Sequence, residues 1–126
     1  MNTDQLPPNE RQLDEQAALA ALDGSRELLQ DLAQMFCEDA PQVLRELRQA
    51  VEADDATSAR RAIHSIKGLA ATFFAQPTVE TAQRLEQDAI NGQLESLSES
   101  GIPQLEETVQ SLINELRDRL RLTSEH

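Results

Sequence analysis

The sequence contains no Trp, no Tyr and only three Phe in 126 residues. Any core must therefore be built from Leu, Ile, Val and Ala with a few Phe rings. The same scarcity argues against nucleic-acid binding, which relies on aromatic stacking and positive charge. Positive charge is short as well: 11 Lys and Arg stand against 23 Asp and Glu, a net charge of −12. That balance argues against nucleic acid and membrane as partners, and it leads us to expect a soluble monomer. A lone Cys37 excludes an internal disulfide and fits a reducing compartment, so a cytoplasmic location is expected. Its apolar neighbours suggest a small buried hydrophobe. No apolar run approaches the roughly 18 residues of a membrane span, and the opening MNTDQLPPNER is too polar for a signal peptide. No Gly-rich phosphate loop is present, so neither ATP binding nor self-phosphorylation is expected. Two His, one of them the terminal His126, and one Cys give no zinc pattern, and no metal site is expected.

What the chain does have is Ala, Leu, Gln, Glu and Arg, all good helix formers, and no alternating Val/Ile/Thr run that would make a strand. An all-α single domain follows. Residues 1–8 are expected to be a disordered tail, residues 9–122 the domain, and residues 123–126 a second tail. Asn9 is a candidate cap for a first helix to about Leu22, with Leu13, Ala17, Ala20 and Ala21 as its apolar face and Asp23-Gly24 as its stop. Ser25 caps a second helix with Leu28, Leu29, Leu32, Met35 and Phe36 as its stripe. Pro41 predicts a kink near residues 38–40 before the helix resumes through Val43, Leu44, Leu47 and Val51.

A third helix covers RRAIHSIKGLAATFF, residues 60–74, with Asp55 or Thr57 as its cap. Ala59, Ala62, Ile63, Ile66, Ala70 and Phe73 recur at three- and four-residue spacing and form one apolar stripe. At 100° per residue, His64 lies roughly 150° from the centre of that stripe. Gly68 lies opposite the stripe too, and Lys67 sits at its edge. Gly in a helix costs about 1 kcal/mol relative to Ala, and the pattern here asks for neither kink nor cap. A missing side chain one turn after an outward His leaves a bare patch where another backbone could approach. Residues 56–79 hold no Asp or Glu, while Arg60, Arg61, Lys67 and His64 fall among them. In so acidic a chain this is a local positive island, suited to holding a transferred phosphate.

A fourth helix starts at Pro77, a favourable first position, and runs to about Ile90, stopped by Asn91-Gly92. Val79, Ala82, Leu85, Ala89 and Ile90 are its inward face, and Glu86 interrupts that face. A carboxylate there is costly without a partner. Residues 92–101 read as a polar loop. A last helix spans about Pro103 to Leu122 on Leu105, Val109, Leu112, Ile113, Leu116 and Leu120.

HSIKG on a helix resembles the HxxKG signature of histidine phosphotransfer (HPt) domains, with His64 at the phosphorylated position. The surroundings are similar to that family as well: Leu13-Asp14, then Phe36-Cys37-Glu38-Asp39-Ala40-Pro41, then the turn Ala53-Asp54-Asp55. The resemblance covers roughly Leu13 to Leu122. It implies an antiparallel four-helix bundle, here with an additional N-terminal helix. It further implies a phosphoryl carrier without kinase activity of its own. Such a carrier relays phosphate between aspartates on the receiver domains of a hybrid sensor kinase and a response regulator. His64 would be the phosphoacceptor. Lys67 would stabilise the phosphoryl oxygens, Gly68 would admit the partner, and Glu86 would orient the His64 ring through Nδ1. The bland alternatives for Glu86 are an ion pair with Lys67 or with an Arg, or a stripe that runs elsewhere on the helix. Arg60 and Arg61 could be partner contacts or plain solvated charges, and Ser65, Ala71 and Thr72 share the outward side. No cofactor is expected; Mg²⁺ would belong to the receiver. One departure is Phe74, ten residues after the histidine, where the family usually has Gly. Phe74 could cover the bundle end or add apolar area to a docking surface. The alternative function is a non-catalytic docking module that regulates a histidine kinase or response regulator. Met1 and the short tail favour a free-standing protein.

Overall fold

A computed structural model describes residues 11–122; the two expected tails, Asn9 and His126 lie outside them. Among the described residues all regular structure is helical. The elements are α1 (Glu15–Ala21), α2 (Arg26–Glu52), α3 (Ala56–Ala71), α4 (Gln76–Ile90), α5 (Leu94–Ser96) and α6 (Ile102–Arg119). A π-helical turn, Leu97–Gly101, joins α5 to α6. Helices α2, α3, α4 and α6 form an antiparallel four-helix bundle in which each packs on the next around a ring, and α6 closes it against α2. Helix α1 is the additional N-terminal helix and packs on α2.

Local chemistry explains where the helices begin. Asp14, Ser25 and Asp55 cap α1, α2 and α3, accepting from the backbone N–H of Ala17, Leu28 and Ser58. The start of α1 is therefore Asp14, and the structure corrects the expected start at Asn9.

The helix ends share one device. Gly24 N–H donates to the Leu19 carbonyl, Asp55 to Ala50, Ala75 to Ala70, Gln93 to Asp88 and Leu122 to Arg117. Each bond spans five residues and closes the helix through a left-handed residue just before the donor. Those residues are Asp23, Asp54, Phe74, Gly92 and Arg121, with φ between 54° and 74°. Phe74 thus keeps the turn that glycine would make more cheaply. The residue is 46% exposed and lies with Leu13, Pro77 and Arg119 at the end of the bundle, away from His64.

Pro41 lies inside α2, which continues past the proline as one helix of 27 residues. One missing donor removes one bond from a helix that buries eight side chains, and packing outweighs it. Residues 92–101 are mostly helical rather than loop. Leu94, Leu97 and Gly101 are buried there, and a Cβ on Gly101 would meet Leu85 Cδ2 at 2.8 Å, so that side chain would have to shift.

The core lies inside the ring of four helices. The six stripe residues expected for α3 are all buried, and Phe73 meets Phe36 edge-on with centroids 5.6 Å apart. Elsewhere the stripes shift by a residue or so. Leu28, Met35 and Ile90 are exposed rather than inward, Ala20 and Ala21 are exposed, and Ala18 carries the α1 contact. Cys37 is buried, as its neighbours suggested, and burial pushes its thiol pKa up. No described helix is long and apolar enough to cross a membrane.

One buried anchor was missed in the sequence. Glu115 on α6 is fully buried and accepts the backbone N–H of Gln12 at 2.8 Å and of Leu13 at 3.1 Å. The Gln12 side chain donates to the Thr108 carbonyl and accepts from the Thr78 hydroxyl, while Asp14 N–H reaches the Phe73 carbonyl at 3.1 Å. The entering strand of chain is therefore tied to α6, α4 and the end of α3. The signal for it was a Glu one turn after Leu112 and next to Leu116, the same kind of interruption that marked Glu86.

Candidate functional site

Helix α3 sits between α2 and α4, with its stripe turned to the core and its opposite side to solvent. Five buried side chains fix its rotation, so His64 must face outward. The imidazole side chain is 67% exposed. Lys67, one turn on, is 27% exposed and leans toward α4.

Glu86 comes from α4 and meets both. Its Oε2 lies 3.0 Å from His64 Nδ1, and its Oε1 accepts from Lys67 Nζ at 2.6 Å. The pairing with His64 and the ion pair with Lys67 were alternatives in the sequence; the structure contains both. Glu86 is 13% exposed, at the seam between α3 and α4, so an inward-leaning residue can touch an outward-facing one. The hydrogen bond from Lys67 holds the Glu86 carboxyl below its ordinary pKa; burial opposes this, and the His64 contact adds to it. Glu86 is thus an anion that can only accept, so His64 Nδ1 must carry a proton. A neutral imidazole then has its lone pair on Nε2, which makes no hydrogen bond among the described residues. The ring is thus held in one tautomer, with Nε2 open to solvent.

Gly68 is exposed, and a Cβ built on it would meet nothing within 4 Å. Its φ is ordinary, so neither backbone strain nor internal crowding requires a glycine here. What its bareness provides is a clear approach to His64 from outside.

Two shallow grooves flank the imidazole. One, between α2 and α3, is lined by Asp39, Gln42 and Val43 together with Ser65, Gly68, Leu69 and Thr72. The other, toward α4, is lined by Thr57, Arg60, Arg61, Ser65 and Glu86. Ser65 and Thr72 border the site as their outward placement suggested; Ala71 lines neither groove. Sequence reasoning missed the α2 rim. Asp39, Gln42 and Val43 adjoin the site because α2, which carries them, packs along α3.

The comparisons with known proteins agree with this geometry. The family model of the Hpt domain matches residues 31–119, from within α2 to the end of α6. A search of curated proteins gives no match. Among solved structures, the chain is similar to the crystal structure of histidine-containing phosphotransfer protein B (HptB) from Pseudomonas aeruginosa PAO1. The two share 24% identity and a TM-score of 0.78, over 87% of this chain and 95% of the other. That likeness establishes the shared fold. With the family match spanning most of the bundle and containing His64, Lys67, Gly68 and Glu86, the chain belongs to the Hpt domain family, the histidine phosphotransfer proteins of two-component signalling.

Proposed function

We propose that this protein carries a phosphoryl group on His64 and passes it between receiver-domain aspartates of a hybrid sensor kinase and a response regulator. The observation that carries the reading is the Glu86 carboxylate shared between His64 Nδ1 and Lys67 Nζ, beside the bare Gly68. In the forward step, His64 Nε2 attacks the phosphorus of a receiver's aspartyl phosphate. The N–P bond forms as the P–O bond to aspartate breaks, and the aspartate leaves as a carboxylate. The Nδ1 proton stays on the ring, and Glu86 opposes the positive charge that develops there. Lys67 Nζ, one helical turn away, neutralises the phosphoryl oxygens. The onward step reverses these bonds toward a second aspartate.

In this reading the protein is a carrier without kinase activity of its own. Mg²⁺ belongs to the receiver's half of the site, and this chain supplies no cofactor. It works as a cytoplasmic monomer whose encounters are brief, since a relay must release each partner. Gly68 lets the receiver backbone come close enough for in-line attack.

The test is phosphoryl transfer from phosphorylated receiver domains to wild type and to His64→Gln. Acid-labile, base-stable label on wild type alone is the expected result. Receivers that bind both proteins yet label neither would favour the docking-module reading instead.

A further inference from the structure

The two arginines before His64 are not used by the chemistry above, yet both stand beside it. Acidic residues outnumber basic ones 23 to 11, so carboxylates for pairing are plentiful. Arg26 pairs with Glu15 at 2.7 Å, Arg48 grips both oxygens of Glu106, and Lys67 is bonded to Glu86. Among the described residues Arg60 and Arg61 make no hydrogen bond or ion pair, although both line the groove next to His64. The carboxylates around them are already engaged. Asp55, which feels Arg61, caps α3 through Ser58 N–H and the Ser58 hydroxyl at 3.1 and 2.7 Å. Glu86 is held by His64 and Lys67.

Resting on the phosphocarrier reading, we propose that the Arg60–Arg61 groove is the electrostatic half of the docking surface and takes an acidic rim around the receiver's phosphorylated aspartate. Charge complementarity carries the argument. The protein as a whole repels an acidic surface, and residues 56–79 are the stretch where that repulsion reverses. A partner without acidic groups would leave both guanidinium groups uncompensated. The groove on the other side of His64 contains Asp39, which disfavours the same acidic rim. The field across the histidine is therefore polarised, and it selects one orientation of the receiver. Exposed charges of this kind act on association rate more than on the chemical step, and salt screens them.

The experiment uses the full chain and a panel of isolated receiver domains charged with acetyl phosphate. It compares wild type, the Arg60→Gln/Arg61→Gln double variant, and Arg121→Gln as an exposed-arginine control at the far end of the sequence. The double variant is expected to lose about 3- to 10-fold in kcat/KM for transfer at low salt. That gap should close as salt rises, while Arg121→Gln matches wild type. Direct labelling by phosphoramidate, a small donor that needs no docking, should be equal in all three. An unchanged rate constant and salt slope in the double variant would overturn the proposal. So would equal losses with phosphoramidate, which would place the arginines in the chemistry. Wild type that no receiver labels would instead refute the phosphocarrier reading, and that failure is visible before any variant is compared.

Discussion

Replacing Gly68 should separate folding from phosphotransfer. The position is exposed, within α3, with ordinary φ and open space where a Cβ would go. Nothing in the protein would resist a side chain there. Gly68→Ala should therefore stabilise α3 by about 1 kcal/mol, and Gly68→Gln by about half to two-thirds of that, from helix propensity alone. In a domain of this size the gain is roughly 2–5 °C in Tm. Transfer should move the other way. A Gln side chain one turn from His64 occupies the approach of the receiver's backbone, and an ångström of misplacement at a reacting centre costs roughly 100-fold. Gly68→Ala, with one methyl, should fall between wild type and Gly68→Gln. The assay pairs thermal unfolding with the single-turnover rate of phosphoryl transfer from a receiver. Wild-type transfer in Gly68→Gln would refute the reasoning about approach, and a lower Tm would refute the reading of the site as empty of internal contacts.

Other outcomes follow from the same geometry. Glu86→Ala should slow transfer about 10- to 100-fold without abolishing it, since the nucleophile remains but loses its fixed tautomer; an unchanged rate would remove Glu86 from the mechanism. Because the folded Glu86 pKa is depressed, its contacts contribute above the unfolded carboxylate range and are lost as pH falls through the folded value. Carboxyl NMR should show Glu86 titrating below the ordinary glutamates and moving up in Lys67→Met; a midpoint at or above the ordinary range would contradict the triad. Glu115→Ala strands two buried N–H groups and should cost about 2–5 kcal/mol by urea denaturation while leaving transfer intact. A cost below about 1 kcal/mol would mean those amides find other partners. Phe74→Gly should be more stable than Phe74→Ala by about 1 kcal/mol, since both lose the ring and only Gly relieves the left-handed backbone; equal stabilities would contradict that strain.

The parts of the fold legible in the sequence were those where one element dictates its own face. The α3 stripe is regular enough that rotation, and with it the outward face of His64 and Gly68, follows from spacing. Glu86 was legible as an anomaly, a carboxylate in an apolar row, although spacing could not choose between His64 and Lys67. A carboxylate has two oxygens, and tertiary packing brought one to each. What sequence missed depends on neighbours. Pro41 costs α2 one backbone bond, but packing on α3 and α6 carries the helix through it. Residues 92–101 look polar and carry Gly92 and Gly101, yet Leu94 and Leu97 find a core that α4 helps supply. Glu115 interrupts an apolar row as Glu86 does, but its partners, backbone N–H groups from the other end of the chain, are displayed by no local pattern.

The central claim is that Glu86 keeps the proton on His64 Nδ1 and so makes Nε2 the nucleophile. The most direct test is ¹⁵N and ³¹P NMR of the protein phosphorylated by a receiver domain. The account predicts a single N–P bond at Nε2 of His64, with Nδ1 protonated and still shifted by Glu86. Phosphorus on Nδ1, or on any residue other than His64, would contradict it.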